Sequence, residues 1–191
     1  MKPGKVIVLC APSGCGKSTI IHTLLDSNAV DMKFSVSATN RKPRPGEVDG
    51  ADYHFMTTEQ FRDAIAQNRF IEWEQVYPGR YYGTLKGEVV KTADSGENVL
   101  LDIDVKGAIN VKKLFGDRAL TIFILPPDIE TLRKRLIARG TDALDEIERR
   151  VSKAEYEISF ADQCDIRIIN DKLDDAVEAA RSAICEFLDK D

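Results

Sequence analysis

The sequence predicts an α/β fold with a parallel sheet covered by helices on both faces, and three observations carry that expectation. Short apolar runs at 5–10, 98–103, 119–125 and 165–169 alternate with segments of helical periodicity. Runs of that length, apolar at nearly every position, are what strands buried on both faces require. The first run, Val6 to Cys10, leads straight into a glycine-punctuated loop and then a helical pattern. Finally, 191 residues at 43% hydrophobic content, with no low-complexity tract and no fixed-period repeat, suit one sizeable core with room for insertions.

The loop comes first in the chain and its chemistry is legible. Ala11, Pro12, Ser13, Gly14, Cys15, Gly16, Lys17, Ser18 and Thr19 read APSGCGKST. Inward-facing backbone N–H groups make an anion nest, and a helix opening at Lys17 adds its positive dipole end, so a polyphosphate is the expected guest. In such a loop the lysine reaches the β- and γ-phosphates and the next hydroxyl offers an oxygen to Mg²⁺, roles that fall to Lys17 and Ser18. Ala11 stands where the strict pattern has its first glycine. A dinucleotide loop would need glycine at position 19, which is Thr19.

The helices follow in order. Ile20, Ile21, Leu24 and Leu25 give the first an inward stripe, and His22 beside them reads as structural or exposed. From Ser37 to Thr84 the pattern changes: Pro43, Pro45, Gly46 and Gly50, one short helix near Thr57 to Gln67, and FIEWEQVY read as a small mixed insertion. After Pro126 and Pro127, Asp128 caps a helix carrying Ile129, Leu132 and Leu136, with Arg135 and Arg139 four residues apart on one face. Beyond Gly140 a further helix, opened by Thr141 or Asp142, carries Leu144, Ile147, Val151 and Ile158 and places Arg150 on an arm after a glycine hinge. Leu173, Ala176, Val177, Ala180, Ile184 and Phe187 form the stripe of the last helix, for which Asp171 is a plausible cap.

Composition narrows the partners. A net charge of −5 argues against general nucleic-acid or membrane-surface binding, which needs a basic excess. Cys10, Cys15, Cys164 and Cys185 show no C-x-x-C spacing, and His22 and His54 stand in no ligand register with them, so free thiols in a reducing cytosol are expected. Cys15, inside the loop, is either a reactive thiol at a helix N-terminus or a small tolerated residue. The opening MKPGKVIVLC has too short an apolar run for a signal peptide or a membrane span.

SVSATNRKPRPGEVDGADYHF, then FIEW, YYGT, LLDID and a late RLIARG, occur in an order and spacing that resemble guanylate kinase over nearly the whole chain. The resemblance implies a phosphate-loop NTPase sheet flanked by helices (core 1–36, 86–127 and 159–191), a mixed α/β GMP-binding insertion (37–85) and a helical lid (128–158). It implies ATP and GMP as substrates, Mg²⁺ as cofactor, and a cytoplasmic enzyme making GDP and ADP. Oligomeric state is left open.

The resemblance also assigns residues. Arg41 and Arg44 with Tyr53 and Tyr82 surround the GMP phosphate, and the planar guanidinium fork suits phosphate oxygens independently. Glu72, helped by Ser37 and Thr84, reads guanine, whose N1–H and N2–H donors one carboxylate accepts together; periodicity alone would turn Glu72 toward solvent. Asp102 and Asp104 end an apolar strand where an α/β sheet presents its ligands. Either orients Mg²⁺ or holds the guanine side, Asp102 being the candidate metal neighbour and Asp104 equally a helix cap. Arg135, Arg139 and Arg150 match the lid arginines that close on the transferring group, with Lys134 and Arg149 solvated, and Asn170 and Asp171 resemble the segment that borders the adenine of ATP. Two rivals remain on sequence grounds, a kinase for another small acceptor and a non-catalytic scaffold.

Overall fold

The computed structural model describes residues 2–27, 30–138, 140 and 143–190. Its main sheet has five strands in the order β2 (Lys33–Phe34), β7 (Val99–Asp102), β1 (Val6–Cys10), β8 (Ala119–Leu125) and β9 (Ile166–Ile169), every pairing parallel. The apolar runs at 5–10, 98–103, 119–125 and 165–169 are thus the four longer strands of this sheet. β1 is entirely buried and its side chains alternate between two cores. Ile7 and Leu9 face a cluster with α1 (Lys17–Asp26) and α7 (Leu173–Asp189); Val6, Val8 and Cys10 face one with α3 (Lys86–Asp94) and α4 (Val105–Phe115). A central strand with both faces covered tolerates no polar side chain, which is why the run is apolar throughout.

Register sets the site. Leu9 lies beside Asp102 on one side and Ile122 on the other, so β1 and β7 end at the same level and the phosphate loop leaves β1 next to Asp102. Ligands of open α/β sheets bind at this carboxyl edge.

The changed composition after Ser37 becomes a second sheet, ordered β4 (His54–Phe55), β3 (Ala38–Thr39), β6 (Arg80–Leu85) and β5 (Phe70–Tyr77). One face is held by α2 (Thr58–Ala66), whose start carries a reciprocal capping box between Thr57 and Gln60. Its core is small and aromatic: Phe61 stacks on Phe70 at 4.4 Å and on Tyr81 at 5.5 Å, with Ala38 and Ala64 beside them. Ile71 of β5 packs instead into the main core with α4.

α5 (Ile129–Ala138) and α6 (Leu144–Ile158) follow β8 and bury Leu132, Leu136, Ile147, Val151 and Ala154 against the α1 side. Asp128 does cap α5, accepting from the Thr131 N–H at 2.6 Å. Gly140 between the two helices has φ +66°, a left-handed conformation that favours glycine. Two expected caps differ. Thr141 and Asp142 lie outside the described residues, and the residue before α6 is Ala143, without a side-chain cap. Asp171 does not cap α7, since the helix begins one residue later than that reading needs and Lys172 holds the cap position. Asp174 and Asp175 in its first turn favour the dipole instead.

Candidate active site

The phosphate loop is built by two glycines at positive φ, Gly14 at +91° and Gly16 at +83°, with Gly16 as the N-cap of α1. At Gly16 a side chain is excluded twice: a Cβ would lie 2.4 Å from the Asn170 amide nitrogen. That amide is 5% exposed and donates to the Cys15 carbonyl at 2.8 Å, so Asn170 braces the loop from β9's end. Cys15 is fully buried and burial pushes its thiol up to about 12, which leaves it inert; the small-residue reading holds. His22 is exposed on α1.

The loop lines a cleft of about 630 Å³ together with residues from three other regions. Ala11, Pro12, Ser13, Gly14, Gly16, Lys17 and Ser18 form its floor, Asp102, Ile103 and Asp104 its back. Ser37, Glu72, Glu74, Val76, Tyr82 and Gly83 line it from the second sheet and its approach, and Arg135, Arg150, Lys153 and Glu157 from α5 and α6. Cys15 and Thr19 belong to the loop segment but do not line the cleft.

Lys17 donates to the Ile103 carbonyl at 3.2 Å and forms an ion pair with Asp102. Asp104 caps α4, its carboxylate accepting from the Gly107 N–H at 2.7 Å. The two aspartates that sequence could not separate therefore divide here: Asp102 faces the lysine and Asp104 holds a helix start.

Glu72 is the most perturbed carboxyl facing the cleft. Burial raises it to about 7 from a usual 4.5, and the negative charges of Asp104 and Glu74 push the same way against a hydrogen bond from Thr84. The Thr84 hydroxyl, 1% exposed, donates to Glu72 Oε1 at 2.7 Å. Thr84 itself does not line the cleft; it fixes the carboxylate that does. Periodicity placed Glu72 toward solvent, yet what it faces is the space between two lobes.

Arg41 is held by Glu47 through two hydrogen bonds of 2.6 and 2.5 Å, and its guanidinium lies 4.8 Å from the Tyr53 ring. Tyr53 and Tyr82 meet edge to face at 5.9 Å, and Tyr82 connects this cluster to the cleft. The pairing draws Glu47 down to about 2. Arg44 is exposed and does not line the cleft.

Opposite, Arg135 donates to the carbonyls of Asn170 at 2.9 Å and Asp171 at 3.3 Å, and Arg150 donates to the Ser13 hydroxyl at 3.1 Å. Arg139 lies outside the described residues. Lys134 is exposed and Arg149 pairs with Glu146 of its own helix, at 3.6 Å.

A family model described as guanylate kinase matches residues 3–187. The chain belongs to the guanylate kinase family. A guanylate kinase of Porphyromonas gingivalis is 50% identical over 97% of this chain and 99% of its own length. One of Bacteroides thetaiotaomicron is 52% identical over 98% and 92%. A crystal structure of guanylate kinase from Anaplasma phagocytophilum superposes with a TM-score of 0.73 at 28% identity, covering all of this chain and 89% of the other. The phosphate-loop NTPase fold expected of a guanylate kinase is the fold found.

Six cleft residues escaped the sequence reading: Glu74, Val76, Gly83, Ile103, Lys153 and Glu157. A signal existed for three. Glu74 follows Glu72 by two on β5 and shares its face, while Lys153 and Glu157 follow Arg150 by three and seven on α6.

Proposed function

We propose that this cleft takes ATP on the phosphate-loop side and GMP on the Glu72 side, and that the protein, as a guanylate kinase, transfers the γ-phosphoryl group of ATP to GMP, giving ADP and GDP. The observation that carries the reading is the pairing across one cleft of an anion nest with a half-buried, oriented carboxylate. Polyphosphate suits the first, and the N1–H and N2–H edge of guanine suits the second. Adenine has no such donor pair, and a buried polar site left unpaired rejects the wrong base by roughly 10⁴-fold.

The substrate roles follow. Segment 37–85 acts as the acceptor-binding insertion: Ser37 and Thr84 assist Glu72 at the base, and Arg41, Arg44, Tyr53 and Tyr82 hold the acceptor phosphate. Segment 128–158 acts as the lid, bringing Arg135, Arg139 and Arg150 to the transferring group. The loop, 11–19, holds the ATP phosphates, and Asn170 serves ATP through the loop it braces.

An oxygen of the GMP phosphate, already ionised, attacks the γ-phosphorus of ATP in line; the bond from that phosphorus to the bridging oxygen breaks and ADP leaves. No general base is required. Lys17 exchanges its pairing with Asp102 for the β- and γ-oxygens, and the lid arginines spread over the charge of a loose transition state. Closing the lid excludes water, which would otherwise accept the phosphoryl group.

The donors present fit a magnesium ion that arrives on the nucleotide: Ser18 offers a hydroxyl and Asp102 a carboxylate, hard oxygens few enough that phosphates and water complete the shell. Bound there, the ion neutralises phosphate charge. Among the described residues no helix is long and apolar enough to cross a membrane. We assign the protein to the cytoplasm, where its cysteines, free thiols in this structure, would stay reduced.

The test is ADP formation with Mg²⁺-ATP against GMP, AMP, CMP, UMP and phosphorylated sugars. Turnover confined to GMP and its deoxy form supports both halves of the reading. A different preferred acceptor would remove Glu72 from its role, and GMP binding without turnover would favour a scaffold.

A further inference from the structure

Gly107 sits in the first turn of α4 and is buried. Its φ does not fall in the positive range, so its backbone does not demand glycine. Helix propensity argues against it, since glycine is the weakest helix former after proline. What demands glycine is space. A Cβ at this position would stand 2.7 Å from Glu72 Cγ, 3.1 Å from Glu72 Cβ and 2.9 Å from Ile103 Cδ1. Ile103 offers the tip of a flexible side chain, which can turn aside. Glu72 offers its stem, and its far end is tied to Thr84.

We propose that Gly107 is a specificity-positioning residue: the missing side chain in α4 is the seat against which the stem of Glu72 rests, fixing its carboxylate toward the acceptor base. The proposal rests on the reading of Glu72 as the guanine acceptor.

Three observations converge on that seat. The N–H of Gly107 is the donor that Asp104 caps, which fixes the backbone of the first turn that faces Glu72. Asp104 in turn lies close enough for its charge to oppose ionisation of Glu72. Asn110, one turn further along α4, donates to the Ile71 carbonyl at 3.0 Å and pins the strand next to Glu72. Asn110 ties helix to strand one turn from the contact, so an added methyl group falls mainly on the Glu72 side chain. To regain an ordinary carbon–carbon contact of about 3.5 Å, Cγ has to retreat by about 0.8 Å. A misplacement of that size at a recognition group costs up to about 100-fold.

The experiment is a mutant cycle of Gly107→Ala and Glu72→Ala, read by kinetics and by thermal unfolding. IMP, whose hypoxanthine keeps N1–H but lacks the 2-amino group, serves as the competing acceptor. Gly107→Ala should raise KM for GMP by about 10- to 100-fold, leave KM for ATP within twofold, and compress the GMP to IMP ratio of kcat/KM. It should lower the unfolding midpoint by about 5 °C in the native background and by clearly less in the Glu72→Ala background, where the Cγ contact is gone and only the contacts with Cβ and Ile103 remain. The unfolding arm remains readable if the single variant is too unstable to assay. Equal midpoint shifts in both backgrounds, or GMP and ATP parameters impaired alike, would overturn the proposal. If Glu72→Ala itself leaves the GMP to IMP ratio unchanged, the reading of Glu72 fails instead, while the unfolding cycle still reports whether the contact exists.

Discussion

The two halves of the cleft are made of different materials. On the phosphate side, the working parts are backbone: a loop at positive φ, a helix N-terminus, and a strand end aligned with its neighbour. This scaffold is anchored in a large two-faced core. On the base side the working parts are side chains: Glu72, Thr84 and Tyr82 on the β5–β6 hairpin and Arg41 in the loop after β3, beside a cluster of five buried residues. Backbone sites are specified by short motifs because few sequences permit the geometry, whereas side-chain sites are specified by whatever packs around them. The phosphate half should therefore fail through loss of chemistry when altered, and the base half through loss of selectivity.

The largest effect tests that division directly. Lys17→Ala should lower kcat by about 1,000-fold, since one charged donor to the transition state is removed. GMP affinity measured by calorimetry should stay within twofold, because Lys17 contacts Asp102 and Ile103 and nothing in the insertion. Weakened GMP binding would show that the halves are not separable.

Next in size is Glu72→Gln. The amide must present a donor where two acceptors are wanted, so kcat/KM for GMP should fall by about 100-fold with KM for ATP unchanged. An unaltered kcat/KM would take Glu72 out of the base site. The same variant carries a stability prediction. The folded carboxyl is raised from 4.5 to about 7, so the fold holds its proton more tightly than the unfolded chain does. The stability it contributes is complete below the unfolded value and is lost as pH rises through about 7, amounting to about 3 kcal/mol. Urea unfolding at pH 5 and pH 8.5 should show this loss in the native protein and a flatter profile in Glu72→Gln.

A smaller effect follows from the same group. Guanine's donors need the ionised carboxylate, so GMP binding expels a proton from Glu72, and KM for GMP should fall about tenfold between pH 6 and pH 8. The GMP phosphate titrates near the same range, so the part due to Glu72 is the difference between the native and Glu72→Gln profiles. Identical profiles would place the ionisation elsewhere.

Legibility in the sequence follows the same division. The strand and helix order, the loop and the cap at Asp128 could be read from pattern alone, because each rests on local rules. Glu72 could not, since an alternating strand looks solvated whether the space beyond it is water or a second lobe; the family resemblance singled it out. Asp102 and Asp104 stayed undivided until register placed the first beside the phosphate loop and the helix start claimed the second. Asn170 showed no local sign of bracing the loop, because its partner is 155 residues away. Gly107 gave no signal either, as a helical glycine reveals its purpose only when its neighbour is seen.

The smallest expected effect concerns the contact that joins the halves. Lys153 on α6 pairs with Glu74 on β5 at 2.8 Å and with Glu157 at 3.8 Å, linking α6 to the hairpin that carries Glu72. Both partners are more than half exposed, at 56% and 54%, so solvent screens the pair and its worth is about 0.5 kcal/mol. Lys153→Met or Glu74→Gln should accordingly raise KM for GMP by only about two- to threefold. Exchanging the charges, Glu74→Lys with Lys153→Glu, separates a clasp from a direct ligand contact. A clasp recovers most of the lost affinity when the signs are reversed together, and weakens as salt rises through 0.5 M. A lysine that instead touches the GMP phosphate leaves the exchanged protein worse than either single variant, because a carboxylate then faces the phosphate. That second outcome would move Lys153 into the acceptor site and make the boundary between the halves a shared one.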